Sequence, residues 1–239
     1  MSSIDTILTG NPTGEYAAYL PTVDIPALAT GYVARYRAAD IDAPIGSIVT
    51  PWNNAVTGGT NLTGTNGFTL RVDADGYKYL ESDGVNDALL YSGGIGTALT
   101  ASYVLAIPSL PSGKRILHGS TIYTNNVAGS PRQELAVNAQ GYWTANSGTE
   151  VGTVRATTER TVLTAVYAPG APSSLAVNAN PEDIGANNAN SGGVNFLFAL
   201  QGGVYTRIRW YELVLYTSAL TAPARTENQD ALMSAYAIA

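Results

Sequence analysis

Tyr79-Leu80-Glu81-Ser82-Asp83-Gly84-Val85-Asn86-Asp87-Ala88-Leu89-Leu90-Tyr91 sets two short apolar runs, Tyr79-Leu80 and Ala88 to Tyr91, around a polar centre. Asp-Gly and Asn-Asp tolerate positive φ and close turns with their own side chains. The stretch therefore predicts strand, tight polar turn, strand. Just upstream the same logic repeats. Phe68, Leu70 and Val72 alternate with Thr69, Arg71 and Asp73, the period of a half-buried strand, and Asp75-Gly76 marks a type I′ hairpin before Tyr77.

Outward from this centre the chain keeps to short strands. Gly31 to Asp40 reads as a strand ending in a turn. Further strands are expected at Ser102 to Ile107, Arg115 to His118, Gln133 to Val137, Gly141 to Thr144 and Val151 to Arg155. Thr161 to Tyr167, Ser174 to Asn178, Phe196 to Leu200 and Arg207 to Tyr216 complete the set. Strands of this length and spacing, joined by turns drawn from 25 Gly and 12 Pro, imply a β-sandwich. The tail breaks the pattern: Thr221 as N-cap, Pro223 in the first turn, and Ala231, Leu232, Ala235 and Tyr236 on one helical face predict a terminal helix. Residues 1–30, punctuated by Gly10, Pro12, Gly14, Pro21 and Pro26, read as an extended arm that packs on its own domain or reaches a neighbouring subunit. Residues 31–239 then form one sandwich domain.

Composition narrows the function. Apolar residues make up 45% of the 239, enough for one large core, and charged residues only 13% against about 25% in ordinary globular chains. The surface is therefore rich in Asn, Thr, Ser and Gly. With a net charge of −6 and only Lys78 and Lys114 as lysines, the chain has no basic stripe for a phosphate backbone, which argues against nucleic acid as a partner. The absence of cysteine excludes disulfides, thiolate metal sites and a cysteine nucleophile together. No basic-then-apolar leader opens the sequence and no run of 18 apolar residues occurs, so neither ordinary export nor membrane insertion is expected.

Several segments resemble the laminin G-like, concanavalin A-like jelly-roll domains. The Asp83-Gly84 to Leu89 turn is similar to their DGxxDxL turn, and Ile208 to Thr221 followed by a helix resembles the strand that ends the fold. Thr161 to Tyr167 and Leu175 to Asn178 resemble its paired strands, with Ala179 in place of a usual Gly, and Asn53-Asn54 after Trp52 departs from the family's Asp-x-Ser-Gly. The resemblance implies an all-β concanavalin A-like jelly roll. Such domains are frequent in bacterial surface proteins and in bacteriophage fibre and capsid accessory proteins.

Candidate chemistry follows. The Glu-x-Asp-x-Glu run of the glycan-cleaving relatives is absent, and the nearest acids are Glu81 with Asp83 and an isolated Glu212, expected to be half-buried and bonded to Arg207, Arg209 or a turn amide. His118, the single histidine, has no nucleophile context and cannot build an ordinary zinc site alone. Calcium takes oxygen ligands; Asp83, Asn86 and Asp87 crowd one turn that either holds this ion or closes on itself, and Asp73 to Gly76 resembles half a calcium loop. Fifteen tyrosines and three tryptophans offer rings that stack on sugars, with asparagine-rich loops at Asn125-Asn126 and Asn187 to Asn190 as amide donors. Asn138, Tyr142, Trp143 and Asn146 form the best carbohydrate cluster. The resulting expectation is a non-enzymatic module of a bacteriophage virion surface, a homo-oligomer docked to other virion proteins through residues 1–30, needing no cofactor except possible calcium and adhering to cell-surface glycans. The alternatives are a capsid decoration protein without sugar binding and a glycan-cleaving enzyme of the same fold.

Overall fold

The computed structural model describes residues 27–93, 98–109, 115–120, 123–124, 127–128, 132–147, 149–168, 170–187, 195–198, 200–201 and 204–239. The first 26 residues of the expected arm and Asn125, Asn126, Asn188 and Asn190 lie outside this set.

Two antiparallel sheets face each other. One runs in the order Asp183–Asn187, Pro172–Val177, Thr161–Tyr167, Leu99–Ala106, Arg209–Tyr216, Lys78–Glu81, Phe68–Val72, Ile48–Val49, with Tyr32–Arg37 also pairing along Arg209–Tyr216. The other runs Glu150–Val151, Trp143–Asn146, Arg132–Val137, Arg115–Ser120, Asn195–Phe198, Ala88–Tyr91, Thr63–Thr65. Alternation puts one side of each strand inward. Phe68, Leu70, Leu80, Tyr103, Leu163 and Trp210 from the first sheet meet Leu89, Leu135, Val137 and Trp143 from the second in one continuous core. The expected all-β sandwich of the jelly-roll type is what the chain forms.

The C-terminal helix, Ala222–Ala235, covers the outer face of the larger sheet. Thr221 is its N-cap, and its carbonyl accepts the amide of Arg225 at 3.0 Å, although its hydroxyl makes no cap bond. Leu232, Met233 and Tyr236 pack on Tyr79, Val104, Val162 and Tyr211. Asn228 accepts the amide of Ala29 at 2.7 Å and donates to the Tyr216 hydroxyl at 2.8 Å, fastening the segment before the first strand beside the helix.

The decisive stretch differs from a simple hairpin. Lys78–Glu81 lies in the larger sheet and Ala88–Tyr91 in the smaller, so the Asp83 to Asp87 turn carries the chain across the sandwich. The loop at Asp75-Gly76 is also longer than a two-residue type I′ turn. The Gly76 amide donates to the Asp73 carbonyl at 3.1 Å and the Asp73 amide to the Tyr77 carbonyl at 3.0 Å, with Gly76 left-handed at φ 90°.

Candidate functional site

The Asp83 to Asp87 turn, read as either holding calcium or closing on itself, is closed by its own carboxylates. Asp83 Oδ1 accepts the amides of Val85, Asn86 and Asp87 at 2.7, 3.0 and 3.3 Å, and Asp87 Oδ2 accepts the Asp83 amide at 2.9 Å. The Asn86 carbonyl accepts from Asn66 Nδ2 at 3.0 Å. Partial burial opposes the charge on Asp83, but these amides outweigh it and hold the carboxyl below its ordinary range. Asp87 shifts the other way, raised by burial and by the neighbouring Asp83 charge against the pull of the Asp83 amide. Among the described residues no three His, Cys, Asp or Glu side chains are gathered as a metal-binding group.

The expected carbohydrate cluster is split. Asn138 Oδ1 accepts the amides of Gln140 and Tyr142 at 3.1 and 3.0 Å, and its Nδ2 donates to Glu150 at 3.0 Å. The half-buried Tyr142 ring lies 5.3 Å below the Arg155 guanidinium. Trp143, the next residue, points to the opposite face by strand alternation. It is 1% exposed inside the core, so its ring cannot stack on a sugar. Asn146 sits at the far end of the same strand, in register with Glu134 on one side and Glu150 on the other. His118 pairs with Glu134 in the next ladder.

Glu212 is wholly buried rather than half-buried, and its partners are not Arg207 or Arg209. A β-bulge between Trp210 and Glu212 breaks the alternation, leaving Ile208 and Trp210 in the core while Tyr211 packs under the helix. Arg35 Nε donates to Glu212 Oε1 at 2.7 Å, Tyr236 Oη to Oε2 at 2.9 Å, and Arg37 Nε lies 3.5 Å from Oε2. Burial raises its pKa, and the arginines and Tyr236 oppose that rise. The carboxylate thus ties first strand, last strand and helix together.

A site unmarked in the sequence lies beside the helix C-terminus: a cavity of about 430 Å³ whose wall includes Asp73, Asp75, Arg160, Asn178, Arg209 and Tyr211. Arg160 bridges Asp73 Oδ2 at 2.5 Å and Asp75 Oδ2 at 3.2 Å, and Tyr211 Oη donates to Asp73 Oδ2 at 3.0 Å. Asp73 Oδ1 accepts the amides of Asp75 and Tyr77 at 3.0 and 2.9 Å, so the hairpin loop fixes this carboxylate. The guanidinium of Arg160 lies over Tyr77, 4.1 Å from the ring centroid, and 5.5 Å from that of Tyr211. Burial, then the Asp73 charge, raises the Tyr211 hydroxyl, which stays neutral and a donor. Arg209, also in the lining, stands over Tyr79, 5.1 Å from its centroid, and reaches Glu81 at 3.3 Å. Arg207 reaches the same carboxylate at 2.9 Å and Arg71 lies 3.8 Å from it. The cavity therefore offers donors and acceptors of both signs that are already held in place. Its volume falls in the usual range for small-ligand sites, about 300 to 1,000 Å³.

A jelly-roll sandwich with a pre-arranged polar cavity is the class of protein this geometry defines. No family model and no curated protein matches the chain. Its fold is shared with solved structures of low identity. Trypanosoma rangeli sialidase in complex with 2,3-difluorosialic acid superposes with a TM-score of 0.61 at 14% identity, over 86% of this chain and 33% of the sialidase. The receptor-binding domain of botulinum neurotoxin C/D mosaic serotype gives 0.56 at 9%, over 87% and 51%. Domain 4 of AbnA, an extracellular GH43 arabinanase from Geobacillus stearothermophilus in complex with arabinotriose, gives 0.56 at 13%, over 83% and 98%. The chain thus spans about a third of the sialidases it matches and nearly the whole of the arabinanase domain.

Proposed function

We propose that this chain is a non-enzymatic glycan-binding module displayed on a bacteriophage virion surface, with residues 1–30 as its attachment to other virion proteins and a homo-oligomeric assembly. The observation that carries the binding reading is the cavity, whose lining gathers the planar polar groups of Asp75, Asn178, Arg160 and Arg209, the type of group that bonds sugar hydroxyls. Two of the fold's solved neighbours were crystallised with saccharides, difluorosialic acid and arabinotriose, which supports a saccharide as the ligand class. The virion setting is supported by the resemblance of the Asp83 turn and the final strand to laminin G-like jelly rolls, which are frequent in bacteriophage accessory proteins. A binding rather than cleaving role is supported by the engagement of Asp73, Glu81 and Glu212 in ion pairs with arginines.

A glycan array with the full-length chain tests this, run with calcium and again with chelator, beside an Asp75→Ala, Asn178→Ala variant of shown fold. Binding to a defined set of sugars, lost in the variant, is expected. A blank array in both buffers favours a structural decoration protein, and release of reducing ends from a polysaccharide favours an enzyme.

A further inference from the structure

Three guanidiniums converge on one carboxylate at the edge of the cavity. Arg207 and Arg209 both bond Glu81 Oε1, and Arg71 lies nearest Oε2. Each guanidinium carries five N–H donors, whereas Glu81 has four acceptor positions and is itself 9% exposed. The side chains of Arg71 and Arg207 are half-exposed, at 50% and 51%, and that of Arg209, stacked on Tyr79, is 33% exposed, so the cluster is open to solvent. Three cations on one anion leave two positive charges, in a chain whose net charge is −6. Strand register imposes the gathering: Arg209 stands opposite Glu81 in one ladder, and Arg71 stands opposite Tyr79, two residues from Glu81, in the next. Tyr79 lies beneath Arg209. Arg207 enters from the segment that the Asp83 turn packs on, where a Cβ at Gly84 would lie 3.0 Å from the Arg207 amide nitrogen.

We infer that Arg71, Arg207 and Arg209 receive the carboxylate of an acidic saccharide whose neighbouring units occupy the cavity. This rests on the glycan-binding reading above and narrows it to uronic or comparable acid sugars. Glu81 is the positioning residue: it holds the three guanidiniums close together against their mutual repulsion, and they offer paired N–H donors of the kind that grip a carboxylate bidentately. Arg209 belongs both to this cluster and to the cavity wall, so acid group and sugar ring are read side by side.

The test is a calorimetric titration of the full-length chain with oligogalacturonate, its fully methyl-esterified form and a polyglutamate of equal length. The acid form is expected to bind about tenfold or more tightly than the ester, the scale of one charge-assisted contact pair. An Arg71→Gln, Arg207→Gln variant is expected to bind both forms alike, at the ester's strength. Its half-exposed positions and unchanged circular dichroism would separate lost recognition from lost fold. Equal binding of acid and ester by the parent protein, or a preference retained in the variant, overturns the inference while leaving a neutral-glycan site standing. Tighter binding of polyglutamate overturns it in favour of a protein partner. No binding of any probe, together with a blank glycan array, removes both readings.

Discussion

At the scale of single residues, Asp83 and Trp143 show how one position reads differently once its neighbours are known. Asp83 is an acid in an acidic turn, yet its oxygen accepts three amides, so it acts as the closure of a backbone crossing. Asp83→Ala should lower stability by about 1 kcal/mol, below the ~1.5 to 3 kcal/mol of hydrogen bonds to charged groups because solvent screens this exposed group. Its folded pKa lies below the ordinary value, so its contribution is present above the unfolded pKa and is lost as pH falls through the folded one. Urea melts of parent and variant should therefore differ at pH 7, with the gap beginning to narrow near about pH 4 and closing further as pH falls through the lowered folded pKa; a gap unchanged by acid would mean the charge is irrelevant. Trp143 is an aromatic beside Asn138 in sequence and a core residue in space. Trp143→Ala should cost about 3 to 5 kcal/mol in chemical denaturation, the range for truncating a buried large aromatic. Tyr142→Ala, removing a half-buried ring, should cost less.

At the scale of elements, legibility followed how local the determinant was. Thr161–Tyr167 is an unbroken buried run and was readable to the residue. Ile48–Val49 and Asp183–Asn187 were not expected: the first has two residues, and the second carries only one large apolar side chain, Ile184, itself exposed. The strand expected from Val151 to Arg155 is interrupted: Glu150–Val151 pairs first, and Gly152 at φ 145° breaks the ladder where a Cβ would meet the Trp143 carbonyl oxygen at 2.0 Å. Pairing resumes where the Trp143 amide donates to the Val154 carbonyl at 2.9 Å and Arg155 bridges Tyr142. The transfer from one sheet to the other at Asp83 was invisible since alternation looks the same in either sheet. The cavity was invisible too, because Arg160 and Asp73 are 87 residues apart and only folding brings them together. The terminal helix was legible from its apolar offsets, and its role is to seal the outer face. Leu232→Ala should accordingly cost about 2 to 5 kcal/mol, measured by thermal or urea unfolding. It should also expose Val104 and Val162 to solvent-accessible dyes.

At the scale of the whole molecule, the two sheets share one core, and the helix is tied to the first and last strands through Glu212. The tryptophans sample this arrangement evenly. Trp210 belongs to the larger sheet, Trp143 to the smaller, and Trp52 to the loop after Ile48–Val49, where its ring packs 5.6 Å from Tyr36 between centroids. All three are buried in the same apolar cluster. A core built jointly by both layers cannot lose one sheet without uncovering the inner face of the other. The described domain should therefore unfold in one cooperative step. Tryptophan emission should shift to the red as its rings meet water, and its midpoint in urea should coincide with that of far-ultraviolet circular dichroism. The variants Trp52→Phe and Trp143→Phe, followed through the tryptophans that remain, should each keep emission and dichroism midpoints coincident. Separated midpoints would mean that the sheets are independent layers.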